Sequence, residues 1–183
     1  CALPIPRATA CGVRRWQALG GAFVPEDRKD EGLFLGNSVG QNIVTALHAG
    51  RPALKAAKRY GTVITETMRR LNVKASGPSA TVGALSGGNQ QKVLLGRYLA
   101  TDADVLLIEE PTRGVDVGAK AEIYRILRDF AKAGGAVLVL SRETVELIGL
   151  CDRLYVIHGN TIVSEMRAAD ATEHGILDAA LSA

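Results

Sequence analysis

The sequence predicts an α/β protein built on a mainly parallel sheet with an added α-helical subdomain, and three segments carry that expectation. Residues 105–108 (VLLI) are four consecutive apolar residues that run straight into Glu109 and Glu110. This is the pattern of a parallel strand buried on both faces, with ligand-binding groups gathered at its carboxyl end. A helical pattern and a second apolar run, residues 136–140 (AVLVL), follow it. A strand-helix-strand crossover of this kind sets its two strands parallel in one sheet. The third segment is residues 36–100, where the apolar spacing is helical and Gly-rich breaks separate the helices.

Taken in order, residues 1–19 carry no assignable pattern. Residues 20–25 predict a strand that ends at the charged turn Glu26-Asp27-Arg28-Lys29-Asp30. Ser38-Val39-Gly40-Gln41 fits a capping box, in which the serine side chain and the glutamine side chain each satisfy one free backbone N–H. Ile43, Val44 and Leu47 continue that helix on an apolar face. Pro52 opens a second helix, rich in Lys and Arg, that runs to about residue 71. A third starts after Ser86. Beyond the acidic strand, Ile123, Leu127, Phe130 and Ala131 mark one face of a helix that stops at Gly134-Gly135. Residues 154–157 and 161–163, joined by His158-Gly159-Asn160, read as a hairpin, and helix signals return over residues 171–181.

Two motifs carry chemistry. In LSGGNQQK, residues 85–92, a Gly-rich bend meets a helix start. The backbone N–H groups of Gly87, Gly88 and Asn89 are unpaired donors there, Ser86 is placed to cap, and the helix dipole favours an anion such as a phosphate. A capped helix with no ligand is the plain alternative. In the second motif, Glu109 and Glu110 stand at the carboxyl end of a buried strand. This suits a magnesium ligand and a water-activating base in phosphoryl transfer, against the alternative of a solvated acidic turn.

These residues resemble the ATP-binding cassette (ABC) ATPases, with LSGGNQQK as the signature motif, VLLIEE as the Walker B strand, and Gly114 to Asp116 in the D-loop. VPEDRKDEGLF (24–34), LSGGNQQK and EEPTRGVDVGAKAEIY (109–124) together are similar to the C-terminal cassette of the tandem ATPase subunits of bacterial ribose-, galactose- and xylose-type importers. The likeness runs over about residues 23–180. It implies a P-loop NTPase core with a signature subdomain, divided into an EDRK segment (20–35), a helical part (36–100) and a Walker B core with its C-terminal hairpin and helix (101–183). It implies ATP and Mg2+ as cofactors. Ser86, Gly87, Gly88, Asn89, Gln90 and Asp116 would face nucleotide, Glu109 and Glu26 would serve the metal, and Glu110 and Arg142 the chemistry. Glu26 stands where many cassettes place a glutamine, and Arg142 where many place a phosphate-sensing histidine; an arginine could pair with phosphate but does not exchange protons near neutral pH. Glu109 replaces the usual Walker B aspartate, and the extra methylene displaces its oxygens by more than about an ångström, a shift that can cost on the order of 100-fold in rate.

The sequence contains no G-x-x-x-x-G-K-S/T P-loop; residues 114–120 (GVDVGAK) are the nearest imitation, with the wrong spacing. The expectation is a cassette incomplete at its N-terminus by truncation or partial sequencing, with a naturally degenerate short form as the alternative. The implied partners are a second cassette, whose P-loop site the signature would complete, an integral membrane permease and, indirectly, a periplasmic sugar-binding protein. The implied location is the cytoplasmic face of the inner membrane. A catalytically silent interaction module that pairs with another cassette remains open. A DNA-repair type of ABC ATPase is disfavoured by the EDRK and TRGVDVGAK matches and the absence of long heptads.

Composition narrows the classes. At 183 residues and 47% hydrophobic the chain can bury a core, which excludes disorder. A net charge of +3 with 4% aromatics disfavours a nucleic-acid surface. Three scattered cysteines and three isolated histidines form neither a disulfide framework nor a metal knuckle. No apolar stretch reaches bilayer-spanning length, and residues 1–16 lack the ordered regions of a signal peptide, so a soluble chain is expected.

Overall fold

The computed structural model describes residues 12–48, 57–101 and 103–182. Three strands, β1 (Gly21–Val24), β2 (Val105–Glu109) and β3 (Ala136–Leu140), form a parallel sheet with β2 in the centre. Phe23, Leu107 and Leu138 stand opposite one another across it. The predicted parallel pairing of β2 with β3 is therefore present. The expectation that β2 is buried on both faces is corrected. Leu106 and Ile108 point into the core, at 1% and 0% exposure, whereas Val105, Leu107 and Glu109 on the other face are only half-buried. Helices cover the core side, whereas on the other side Trp16 of the N-terminal helix packs over Gly21 while Phe23, Leu138 and Leu140 stay exposed.

The helical region supplies the cover. Helix α1 (Val13–Ala18) lies in the stretch that sequence patterns left unassigned, with the Trp16 indole filling the space where a side chain at Gly21 would sit. Helix α2 (Val39–Val44) starts at the predicted capping box: the Gln41 N–H donates to Ser38 Oγ at 3.2 Å, and the Ser38 N–H to Gln41 Oε1 at 2.9 Å. It tightens into a 3₁₀ turn, Thr45–His48, which takes Leu47 off the α-helical face. Helix α3 (Ala57–Arg70) is the Lys/Arg-rich helix; its predicted opening at Pro52 lies outside the described residues. Helix α4 (Gly87–Leu99) is the central strut, packed on α2, α3 and β1 with Val93, Leu94 and Leu95 fully buried.

Helix α5 (Val117–Lys132) connects β2 to β3 and also touches α4. Its buried face is Ile123, Ile126, Leu127 and Phe130; Ile126 replaces the expected Ala131, which is exposed, because 123, 126, 127 and 130 keep the three-four spacing of one helical stripe. The buried Lys92 of α4 is tied to this helix. Its Nζ donates to Glu122 Oε2 at 2.7 Å and to the Asn72 carbonyl at 2.5 Å, and this hydrogen bond from Lys92 holds the Glu122 carboxyl below its ordinary pKa. After β3 come helix α6 (Thr144–Leu150) and the antiparallel pair β4 (Arg153–His158) and β5 (Thr161–Arg167). Gly159 and Asn160 take φ of 53° and 61°, the conformation that a tight hairpin turn demands. Strand β5 runs to Arg167, past the predicted end at 163. Helix α7 (Glu173–Leu181) closes the chain, with Thr172 Oγ1 accepting the Gly175 N–H at 3.1 Å. No helix among the described residues is long and apolar enough to cross a membrane.

Candidate functional site

Strands β2 and β3 end side by side, which brings two turns together at the carboxyl edge of the sheet. Glu109 is opposite Leu140 in the register, and the Glu110 N–H donates to the Leu140 carbonyl at 2.8 Å. Glu109 remains on the strand, facing the open side of the sheet. Its side chain makes no hydrogen bond or ion pair with any described residue. Glu110 leaves the strand with φ of 43°, a left-handed conformation uncommon outside glycine. That reversal turns its carboxylate onto the turn after β3, where Oε1 accepts the Arg142 N–H at 2.9 Å and Oε2 lies 3.3 Å from Ser141 Oγ.

The Arg142 guanidinium then joins two of the candidate acids. Its Nε is 3.5 Å from Glu110 Oε1, and its Nη2 is 3.2 and 3.3 Å from the two oxygens of Glu26. Glu26 also pairs with Arg113. The Arg142 side chain is 82% exposed and that of Glu110 only 14%, so these pairs contribute little stability and act mainly by position. The fold thus brings Glu26, Glu110 and Arg142 together. Glu109 is not linked to them, and no group of three or more His, Cys, Asp or Glu side chains is placed to hold a metal among the described residues.

Arg28, which sequence reasoning did not single out, connects this cluster to the signature helix. Its Nη1 donates to the Arg113 carbonyl at 2.5 Å and its Nη2 to the Gly114 carbonyl at 3.2 Å, while Nε is 3.5 Å from Gln90 Oε1. Burial pushes the Arg28 guanidinium below its ordinary pKa. A polar chain therefore runs from Gln90 through Arg28, Arg113, Glu26 and Arg142 to Glu110. Gly114, with φ of 63°, presents its carbonyl to that arginine, and a Cβ at Gly87 would come within 2.8 Å of the same oxygen. Gly88 packs directly on Ala119 of α5.

The remaining signature residues are engaged more fully than the sequence suggested. Ser86 occupies the N-cap position of α4, but its side chain caps no backbone N–H. The neighbouring Asn89 outcompetes the backbone: its Nδ2 donates to Ser86 Oγ at 2.9 Å, and its Oδ1 accepts the Lys74 N–H at 2.7 Å. Gln90 is buried, with Nε2 donating to the Val82 carbonyl at 3.3 Å, so its side chain faces inward. Asp116 caps α5 by accepting the Ala119 N–H at 3.0 Å. Behind the acidic turns lies Glu146 of α6, buried and bonded to Thr112 and Ser141; a lone glutamate on an apolar helix face gives no sequence signal for it. The groove of about 360 Å³ lined by Trp16, Phe23, Leu47 and Tyr98 lies at the start of β1, away from this cluster.

Known proteins resemble the chain in sequence and in fold. The ribose import ATP-binding protein RbsA of Shigella dysenteriae serotype 1 is 42% identical over 159 residues, covering 87% of this chain and 31% of that protein. The xylose import ATP-binding protein XylG of Burkholderia cenocepacia is 46% identical over 163 residues, again 87% and 31%. The chain thus spans about a third of the length of these curated relatives. Among solved structures, the dimeric post-hydrolysis state of the ATP-binding cassette MJ0796 bound to ADP and Pi superposes with a TM-score of 0.72 at 17% identity, covering 87% of this chain and 68% of that one. An inward-facing metal-chelate type ABC transporter gives 0.73, also at 17% identity, over 89% and 64%. These two likenesses show the shared cassette fold. The family model described as ABC transporter matches residues 20–113, just over half of the chain, a span that includes Arg28, Gln90, Arg113 and the acidic pair, and on this match the chain belongs to the ABC transporter family.

Proposed function

We propose that the chain works as a cassette of an ATP-driven importer of monosaccharides. In this reading the start of α4 contributes to a nucleotide site shared with a second cassette, and Glu110 orients the water that attacks the terminal phosphate. The observation that carries it is the polar chain from Gln90 to Glu110, which ties the signature helix to the acidic turn. Glu110 supports the assignment chemically. Arg142 holds one of its oxygens by backbone and side chain, and the other lies 3.3 Å from Ser141 Oγ, so the carboxylate is fixed before a water arrives. The residues fit a magnesium ion bound together with phosphate oxygens, which needs only one or two carboxylates. Glu109, unpartnered at the strand end, would hold it; Glu26 could join only once its pairs with Arg113 and Arg142 open. Such an ion would neutralise phosphate charge there. The further partners are a membrane permease at the cytoplasmic face of the inner membrane and, through it, a periplasmic sugar-binding protein.

A second reading, a silent module that pairs with another cassette, is favoured by one observation: Arg142 already supplies positive charge between Glu26 and Glu110. One experiment decides between them. The chain replaces the matching segment of the B. cenocepacia xylose import relative, and the chimaera is assayed for xylose uptake and single-turnover ATP hydrolysis with its other site disabled. Hydrolysis that Glu110→Gln slows by about 100-fold or more while ATP stays bound supports the cassette reading. Uptake without any effect of Glu110→Gln supports the silent module, and loss of both uptake and hydrolysis rejects the cassette reading.

A further inference from the structure

The turns that follow β2 and β3 share one buried carboxylate that the chemistry above leaves unused. Glu146 is 6% exposed and takes a hydroxyl from each turn: Thr112 Oγ1 donates to Oε1 at 2.8 Å, and Ser141 Oγ to Oε2 at 2.8 Å. A buried carboxylate requires such donors, so Glu146 is a well-satisfied acceptor.

Ser141 stands between two carboxylates. Its oxygen is 2.8 Å from Glu146 Oε2 and 3.3 Å from Glu110 Oε2, and it accepts the Glu143 N–H at 3.1 Å. A serine hydroxyl has one proton and donates it to one acceptor at a time. The shorter separation directs that proton to Glu146. Glu110 Oε1 is meanwhile occupied by Arg142, so Oε2 is the oxygen left to accept from anything else.

We infer that Glu146 is a positioning residue for Glu110: by drawing the Ser141 proton to itself, it keeps Glu110 Oε2 open to accept a hydrogen bond from the attacking water. Without Glu146, the Ser141 proton has only Glu110 within reach and competes with that water. The inference rests on the reading of Glu110 given above.

In the same chimaera, Ser141→Ala alone leaves kcat within about twofold, because the proton it removes was not on Glu110. Glu146→Leu lowers kcat about tenfold with KM for ATP unchanged, the cost of one misdirected hydrogen bond. Adding Ser141→Ala to Glu146→Leu restores most of that loss. A purely structural role for Glu146 gives losses that add, so a double variant as slow as Glu146→Leu, or slower, overturns the inference. Glu110→Gln in parallel keeps the two questions apart: if it abolishes hydrolysis while Ser141→Ala fails to rescue, only the role of Glu146 falls. A neutron structure of the unaltered protein reads the same point with no need for activity or for a folded variant. A Ser141 deuteron directed at Glu146 Oε2 supports the inference, and one directed at Glu110 Oε2 overturns it.

Discussion

Glu109 and Glu110 are neighbours in sequence, and the backbone gives them unlike surroundings. The strand conformation leaves Glu109 unpartnered on the open side of the sheet, whereas φ of 43° swings Glu110 into the arginine-framed turn. The sequence made the pair visible as two carboxylates after an apolar run. It could not separate their environments, because a positive φ at a glutamate has no signature in residue type. Ser86 illustrates the same limit, since its capping role depends on whether Asn89 reaches the hydroxyl first. If Glu109 is one methylene too long for a cation held with phosphate, Glu109→Asp in the chimaera raises the single-turnover rate by about tenfold, part of what an ångström of misplacement costs. An unchanged or lower rate means that the protein has adapted to glutamate.

Helices α4 and α5 are joined by apolar packing and by Lys92–Glu122, in which Lys92 is buried and the Glu122 side chain is 29% exposed. Removing one partner of a fully buried pair costs roughly 3–5 kcal/mol, and the partial exposure of Glu122 reduces the expected loss for Glu122→Gln to about 2 kcal/mol. Urea unfolding of the chimaera measures it. The pH dependence has a definite sign. The folded Glu122 carboxyl lies below its ordinary value of 4.5, so the unfolded chain takes up the proton first. The pair's contribution is full above that value and disappears as pH falls through the lowered one, and Glu122→Gln should flatten this acid-side slope. The start of helix α2 was legible because a capping box is a local pairing of two residues, whereas its tightening into a 3₁₀ turn before Leu47 was not. The mistaken choice of Ala131 over Ile126 in α5 shows the converse: with several apolar residues on adjoining stripes, only the position of the sheet selects the buried one.

The molecule has a covered and an open face. Parallel pairing of β1, β2 and β3 was readable from apolar runs and crossover geometry, but the same runs suggested burial on both sides, and among the described residues α4 and α5 cover only one. Phe23, Leu138 and Leu140 remain 39%, 55% and 43% exposed. A contiguous apolar patch beside β3, an edge strand without a further partner strand among the described residues, favours association. Expressed by itself, the chain should bind a hydrophobic dye and self-associate at micromolar concentration, and Leu138→Lys should reduce both in light scattering and fluorescence. A monodisperse parent with no dye binding contradicts this.

Arg28 touches residues 62, 85 and 86 positions away in the chain: Gln90, Arg113 and Gly114. Its consequence reaches into heredity. A recombination breakpoint anywhere between the β1 turn and Gly114 parts the arginine from carbonyls it was fitted to, and a foreign signature helix brings any side chain other than glycine at position 87 into the Gly114 oxygen. Exchange of residues 28–114 as one block keeps these contacts and the Gly87–Gly114 approach together, and exchange of only part of it does not.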